Sequence, residues 1–295
     1  MLDRFAIHQP ASVGEASAML SNFGSDAAIY AGGTELLVVM KERLAHFPHL
    51  IDIKRIPGLA DITFDPEQRE LTIGAVARHC DIERSPIVRE HIPALAAMAS
   101  EVANVRVRHA GTLGGNLCFA EPHSDPATLL AALDARLTLV STAGERELAM
   151  DAFATGLMET ARRHDEVLTA VTVPAPGPRT GVAYERFKLH ERPTAAVAAV
   201  ITVVDGVIEA ARIVAGSVGE RPQRLRATAS ALRGQPADEA APLRASEIIR
   251  DEVETIGSVF ESDTYLRQLA AAVGRRAITG AIERAARDED GRHAA

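Results

Sequence analysis

Three glycines fall within five residues of the hexapeptide GTLGGN, which occupies positions 111–116. Glycine loses more backbone freedom on folding than any other residue, so such a cluster is costly unless the chain bends tightly or approaches another group closely. An apolar, helix-like run from Ala127 to Leu133 follows. A glycine loop ahead of a helix can turn backbone N–H groups toward one anion. The pattern predicts an anion-binding loop made of Gly111, Thr112, Leu113, Gly114, Gly115 and Asn116.

A second glycine loop of the same character, AGGTE, lies upstream at residues 31–35 and opens a helical pattern. Two such loops can hold the two phosphates of a dinucleotide from two sides, although tight turns without a ligand remain the alternative. Neither loop fits the G-x-G-x-x-G or G-x-x-x-x-G-K-[ST] pattern, so the Rossmann and P-loop interpretations are not supported. The candidate residues of this loop are Ala31, Gly32, Gly33, Thr34, Glu35 and Leu36.

Together with Pro122 and Asp125, the two loops resemble the FAD-binding subunit of the molybdenum hydroxylases. That family includes the medium subunit of aerobic carbon monoxide dehydrogenase and the FAD domain of xanthine dehydrogenase. The resemblance covers nearly the whole chain, because GERP at 219–222 and DTYLR at 263–267 are similar to segments of the family's C-terminal domain. It implies an α+β fold. A two-loop FAD-binding domain of the vanillyl-alcohol-oxidase-like type would be followed by a three-stranded antiparallel sheet with a helical layer.

The resemblance also implies the cofactor and its contacts. Both loops would wrap the diphosphate and ribityl chain of FAD, and Asp125 matches the family's aspartate after the second loop. Family members often place a lysine near the flavin ring; Arg186 stands at that position, with Lys188 on the same side of the strand. A cation there would favour reduced, anionic flavin, and a solvated strand face is the alternative. No catalytic side chain is expected, because the flavin carries the chemistry.

Two positions depart from the family's pattern. Thr194 stands where some relatives place an aromatic residue against the flavin, and Arg106 stands where a glutamine is usual. These departures concern the surroundings of the flavin ring and leave the predicted FAD-binding loops unchanged.

The function implied is that of the FAD electron-transfer subunit of a heterotrimeric molybdenum hydroxylase. A large partner would carry the molybdenum cofactor and a small partner two iron–sulfur clusters, in a dimer of heterotrimers. Electrons would leave to a quinone, NAD or oxygen. One alternative is a stand-alone FAD oxidoreductase acting directly on a small substrate, although no positioned acid or base is evident. The other is a non-catalytic nucleotide-binding module.

Composition excludes several other classes. The chain has 295 residues and a formal net charge of −8, which argues against a nucleic-acid surface. Its longest apolar run, 195–204, is far shorter than the ~20 residues of a membrane span. The N-terminus lacks a signal-peptide core, so a cytoplasmic location is expected. Two cysteines cannot supply the four ligands of an iron–sulfur cluster. The spacing of His109, His123 and Asp125 matches no standard metal site.

Three prolines between 174 and 178 cannot lie inside a sheet and therefore predict a domain boundary. We expect a FAD-binding domain at 1–177, divided near 55–60, then an α+β domain at 178–287 and a polar tail at 288–295. Alternating residues predict a short strand around Arg106 and Arg108. In the C-terminal part, strands are expected at 181–189, 194–204 and 207–216, with a hairpin at Asp205-Gly206. Helices are expected at 225–232, 243–259 and 265–287.

Overall fold

The computed structural model describes residues 2–189 and 191–289. These form two compact units. Unit 1 comprises residues 2–120, 135–155 and 159–173, and unit 2 comprises residues 121–134, 156–158 and 174–289. Unit 2 thus contains a segment that precedes the proline-rich stretch. The domain boundary at 177 and the division near 55–60 stay predictions.

Unit 1 begins with a small parallel sheet. Its strands are β1 (Ala6–His8), β2 (Ala27–Tyr30) and β3 (His49–Asp52), in the order β1-β3-β2. Helix α1 (Val13–Phe23) precedes β2, and α2 (Leu36–Lys41) follows it. Ser12 caps α1 by accepting a hydrogen bond from the Glu15 N–H. The Glu15 carboxylate accepts from the N–H of Ala11.

A five-stranded sheet forms the rest of unit 1, in the order β4-β5-β10-β6-β7. The strands in this part of the chain are β4 (Ile62–Asp65), β5 (Glu70–Gly74), β6 (Arg136–Ser141), β7 (Gly144–Ala149), β8 (Ala154–Gly156), β9 (Glu159–Thr160) and β10 (Val167–Pro174), of which β8 and β9 pair separately. The helices are α3 (His79–Arg84), α4 (Pro86–His91), α5 (Pro93–Ser100), α6 (Val105–Ala110), α7 (Leu113–Phe119), α8 (Asp125–Ala132) and α9 (Met150–Phe153). Helix α8 belongs to unit 2.

Unit 2 is built on an antiparallel sheet of β11 (Thr180–Phe187), β12 (Ala195–Val204), β13 (Val207–Gly216) and β14 (Gln223–Arg224). The helices that follow are α10 (Arg226–Leu232), α11 (Ala240–Glu252) and α12 (Asp263–Glu289). Asp205 and Gly206 both have positive φ, +50° and +74°, so the predicted hairpin turn is confirmed. Helix α12 packs directly on the sheet, since a Cβ at Gly181 would lie 1.9 Å from the Ala281 oxygen.

The α+β class is confirmed, with four corrections to the elements. The sheet of unit 2 has four strands instead of three, because the two-residue β14 is too short to show a pattern. Residues 105–110 form α6 and not a strand, since the Asn104 side chain caps a helix there. Helix α11 ends at Glu252, seven residues early. Helix α12 continues to Glu289, into the predicted tail, and residues 290–295 lie outside the described residues.

Candidate functional site

The first glycine loop joins β2 to α2. Gly33 has φ +71°, a conformation that favours glycine, and a Cβ there would lie 2.4 Å from the Tyr30 Cε2 atom. Glu35 occupies the N-cap position of α2, and Leu36 is the first helical residue. Both the positive φ and the contact with Tyr30 require glycine at position 33.

The first loop also presents hydrogen-bond donors. The N–H groups of Gly32, Gly33 and Thr34 donate a hydrogen bond to no acceptor among the described residues. All three residues are half-buried. Three consecutive N–H donors of this kind suit an anion, because an unmade backbone hydrogen bond is costly where water is partly excluded.

The second loop differs from the expectation, because its N–H groups are used inside the chain. The Leu113 N–H donates to the Ala77 oxygen at 2.9 Å, and the Gly114 N–H donates to the Ala75 oxygen at 2.8 Å. Thr112 is the N-cap of α7; its Oγ1 accepts from the Gly115 N–H at 3.2 Å, and its carbonyl accepts from the Asn116 N–H. The second loop therefore does not present several N–H donors to an anion.

Close packing explains two of the three glycines of the second loop instead, Gly111 and Gly114. A Cβ at Gly114 would lie 2.6 Å from the Ala75 Cβ, and one at Gly111 would lie 2.9 Å from the Val107 oxygen. Leu113 is fully buried and serves the core. Gly115 is exposed.

The two loops touch each other within unit 1. A Cβ at Gly32 would lie 2.4 Å from the Ala110 oxygen and 2.7 Å from the Gly111 Cα. The Cβ direction of Gly115 points within 4.0 Å of the Ala31 Cβ. The structure thus brings together two stretches separated by about 80 residues, and it does so through backbone contacts that only glycine allows.

Asp125, Arg186 and Lys188 lie together in unit 2. Asp125 is the first residue of α8, and its Oδ1 accepts hydrogen bonds from the Arg186 Nη1 and, at 2.7 Å, from the Tyr184 hydroxyl. The Asp125 and Arg186 side chains are only 5% and 7% exposed. Burial raises the pKa of Asp125, while the charges of Arg186 and Lys188 oppose that rise. Arg186 is paired and buried, whereas Lys188 is exposed.

Three residues that lie beside these positions were not predicted from the sequence. Tyr184 alternates with Arg186 on β11, so the two-residue period of a strand was an available signal. Lys54 lies over the Tyr30 ring, a contact that depends on the pairing of β2 with β3. His79 is buried beside Gly111, and its Nδ1 has no hydrogen-bond partner among the described residues. Burial lowers the pKa of His79 to about 4, so its imidazole is neutral.

Arg106 and Arg108 lie on helix α6 and not on the predicted strand, so their surroundings differ from those expected. Arg108 lies 3.6 Å from the Glu83 carboxylate and donates to the Val102 oxygen. Arg106 is exposed.

Comparison with known proteins decides the family. Residues 3–176 match the FAD-binding domain in molybdopterin dehydrogenase, and residues 183–281 match the carbon monoxide dehydrogenase flavoprotein C-terminal domain. The chain belongs to the FAD-binding subunits of the molybdenum hydroxylase family. The predicted family is therefore confirmed.

Relatives of this family are similar along almost their whole length. The carbon monoxide dehydrogenase medium chain of Hydrogenophaga pseudoflava is 34% identical, over 96% of this chain and 99% of that protein. The caffeine dehydrogenase subunit beta of Pseudomonas sp. strain CBB1 is 31% identical, over 94% of each. In solved structures, the H. pseudoflava carbon monoxide dehydrogenase superposes with a TM-score of 0.92, over 96% of this chain and 99% of that chain. Quinoline 2-oxidoreductase from Pseudomonas putida 86 gives 0.91 at 28% identity, over 97% and 99%.

The geometry is compatible with the FAD that this family binds. The first loop offers three donors for a diphosphate, and the second loop packs so tightly beneath it that no side chain could be added at Gly32. Asp125, Arg186 and Lys188 supply charged groups in unit 2.

Among the described residues, every helix is too short or too polar to cross a membrane.

Proposed function

We propose that this chain is the FAD-holding electron-transfer subunit of a heterotrimeric molybdenum hydroxylase. It would take electrons from the iron–sulfur clusters of a small partner subunit and pass them to an external acceptor. The observation that carries the proposal is the contact between the two glycine loops, with the N–H donors of Gly32, Gly33 and Thr34 beside it. Family membership supplies the cofactor class.

The chain's own residues would divide the work of holding the cofactor. The first loop, Ala31 to Leu36, would bind the diphosphate through its N–H donors. The second loop would support the first, and exposed Gly115 with its neighbour Asn116 would face the ribityl chain. When bound, FAD supplies two-electron and one-electron redox chemistry, so the protein needs to position it and tune its charge.

The groups near the flavin ring follow a similar division. The charge of Asp125 is balanced by that of Arg186. Exposed Lys188 is therefore the better candidate for a cation that acts on the flavin ring. The Arg186 guanidinium is enclosed together with Asp125, whereas the exposed Lys188 ammonium group can approach a developing negative charge directly. The family's lysine position, occupied here by Arg186, would then serve mainly to hold Asp125.

The assembly is proposed from the relatives. Those relatives are named as the medium chain of carbon monoxide dehydrogenase, subunit beta of caffeine dehydrogenase and the medium subunit of nicotine 6-hydroxylase. We propose a large subunit with the molybdenum cofactor, which oxidises the substrate, and a small subunit with two iron–sulfur clusters. Two such heterotrimers would pair in the cytoplasm, with a quinone, NAD or oxygen as the acceptor.

The test is purification of the native complex through a tag on this chain, followed by a visible spectrum. Flavin bands with iron–sulfur absorbance, and two co-purifying chains, are expected. A lone chain that retains flavin and reacts directly with a small substrate would favour the stand-alone oxidoreductase. A lone chain that binds no added FAD would overturn the proposal and favour a nucleotide-binding module.

A further inference from the structure

Three residues outside the predicted site form a cluster at the edge of the first loop. Tyr30 and Asp52 are the last residues of β2 and β3 and are direct partners across the two strands. Lys54 reaches back over both: its Nζ lies 2.8 Å from the Asp52 Oδ1 and 3.6 Å from the centroid of the Tyr30 ring. The Lys54 N–H also donates to the Asp52 Oδ1 at 3.1 Å. An aromatic face and a carboxylate thus hold one ammonium group in a defined place.

The Tyr30 ring connects this ammonium group to the loop. Its Cε2 edge packs on Gly33, where a Cβ would lie 2.4 Å away, while Lys54 sits over its face. Lys54 and Gly33 therefore contact the same tyrosine ring, which links the ammonium group to the first loop. Gly33 carries one of the N–H groups that have no acceptor in the described part of the chain.

The two charges of the pair differ in their access to solvent. The Asp52 side chain is 8% exposed, whereas that of Lys54 is 40% exposed. Bonding to Lys54 lowers the pKa of Asp52 against the effect of its burial. The carboxylate is thus enclosed and hydrogen-bonded, and the positive end of the pair faces outward beside the anion-binding loop.

We propose that Lys54 is a further cofactor-binding residue, which attracts the FAD diphosphate to the N–H groups of Gly32, Gly33 and Thr34. This inference rests on the proposed function, because it concerns the same cofactor. The first loop supplies hydrogen bonds, and Lys54 adds the outward, positive end of its ion pair with Asp52, which the Tyr30 ring helps to keep in position. Because Asp52 offsets part of the Lys54 charge and salt screens it further, we expect Lys54 to change the affinity for the diphosphate by a modest, salt-dependent factor.

The experiment titrates FAD into the full-length, deflavinated chain and follows flavin fluorescence, at low and at high ionic strength. For Lys54→Met we expect Kd to rise about fivefold at low salt and less than about twofold at high salt, because screening already removes the attraction in the parent chain. Lys54→Arg keeps the charge and should remain within about twofold of the parent. Lys41→Met is the matched control, since it removes an exposed lysine of α2 in the same unit.

Several outcomes would overturn the inference. An equal rise in Kd at both salt concentrations would mean that Lys54 only keeps Tyr30 in place. An equal effect of Lys41→Met would assign the change to net charge, and a normal Kd for Lys54→Met at low salt would remove Lys54 from the site. If Lys54→Met does not fold by circular dichroism, Lys54→Gln and Lys54→Arg give the same comparison. Failure of the parent chain to bind FAD would refute the proposed function instead and is read from the parent titration alone.

Discussion

At the scale of single residues, the glycines of this chain differ in what their positions require. Gly33 needs a positive φ, and Gly32 needs room for a neighbouring backbone. Gly14 in α1 has neither constraint, since a Cβ there would meet its nearest atom at 4.0 Å and its φ is ordinary. The same residue type is therefore indispensable at one site and replaceable at another, and the distinction is made by what surrounds the missing Cβ.

Gly32→Ala tests this distinction at the loop contact. The new Cβ would lie 2.4 Å from the Ala110 oxygen, so the loops must separate, and we expect loss of FAD binding with a destabilisation of about 2 kcal/mol. The matched control Gly14→Ala should bind FAD normally and gain up to about 1 kcal/mol, because alanine is the better helix former. Urea unfolding and FAD titration provide the two measurements. Normal FAD affinity in Gly32→Ala would show that the loop contact is not needed for binding.

At the scale of elements, a buried ion pair joins α8 to β11 within unit 2. Asp125 is the first residue of α8, and both of its donors, Tyr184 and Arg186, come from one face of β11. A carboxylate at a helix N-terminus is stabilised by the helix dipole, but its burial here opposes ionisation. The element contact therefore depends on keeping both donors.

Removal of one donor should have a signature in pH. Arg186→Met leaves the Asp125 carboxylate buried with the Tyr184 hydroxyl, and we expect a loss of about 3 kcal/mol at pH 7. The pKa of Asp125, already raised by burial, should rise further in this variant. The folded variant then binds the Asp125 proton more tightly than its unfolded chain does, so its loss of stability relative to the parent chain shrinks as pH falls. Tyr184→Phe should cost about 1 kcal/mol. Urea unfolding between pH 7 and 5 gives both values; a deficit independent of pH would contradict the buried-charge explanation.

At the scale of the whole molecule, acid should act on unit 1 through another ion pair. Glu166, before β10, accepts two hydrogen bonds from Arg146 on β7, at 2.6 and 2.8 Å, and one from the Arg163 N–H. Its side chain is 3% exposed. Bonding to Arg146 lowers the pKa of Glu166 below its usual value of 4.5. The pair connects β7, the edge strand of the five-stranded sheet, to the start of β10, its middle strand.

The stability that this pair contributes is present above about pH 4.5 and is lost as pH falls through the lower pKa of the folded state. Glu166→Gln should therefore lose about 2 kcal/mol at neutral pH and show a weaker dependence of stability on pH between 5 and 3. Glu147→Gln is the control, because Glu147 is half exposed and its distance to Arg136 is 3.4 Å. Thermal unfolding monitored by circular dichroism measures both. Parallel pH curves for Glu166→Gln and the parent chain would rule out this role.

Patterns of local origin predicted much of the fold. The cap of α1, the proline starts of α4 and α5, and the Asp205-Gly206 hairpin follow from short-range sterics and hydrogen bonding, which the sequence displays directly. The prediction of a strand at α6 was wrong because its alternating charged residues resemble a strand pattern, whereas the Asn104 side chain caps a helix there. Strand β14 was not predicted because two residues are too few to show the alternation of a strand.

By itself, the sequence determined the family, the α+β class and the two glycine loops, because these depend on residue types at fixed spacing. Only the tertiary structure decided how each loop is used. Two N–H groups of the second loop donate to Ala75 and Ala77, which lie 36 to 39 residues earlier, whereas those of Gly32, Gly33 and Thr34 have no acceptor among the described residues. Tertiary structure also paired Arg186 with Asp125 and placed Lys54 over Tyr30. Such contacts join distant parts of the chain, and no local pattern records which donor meets which acceptor.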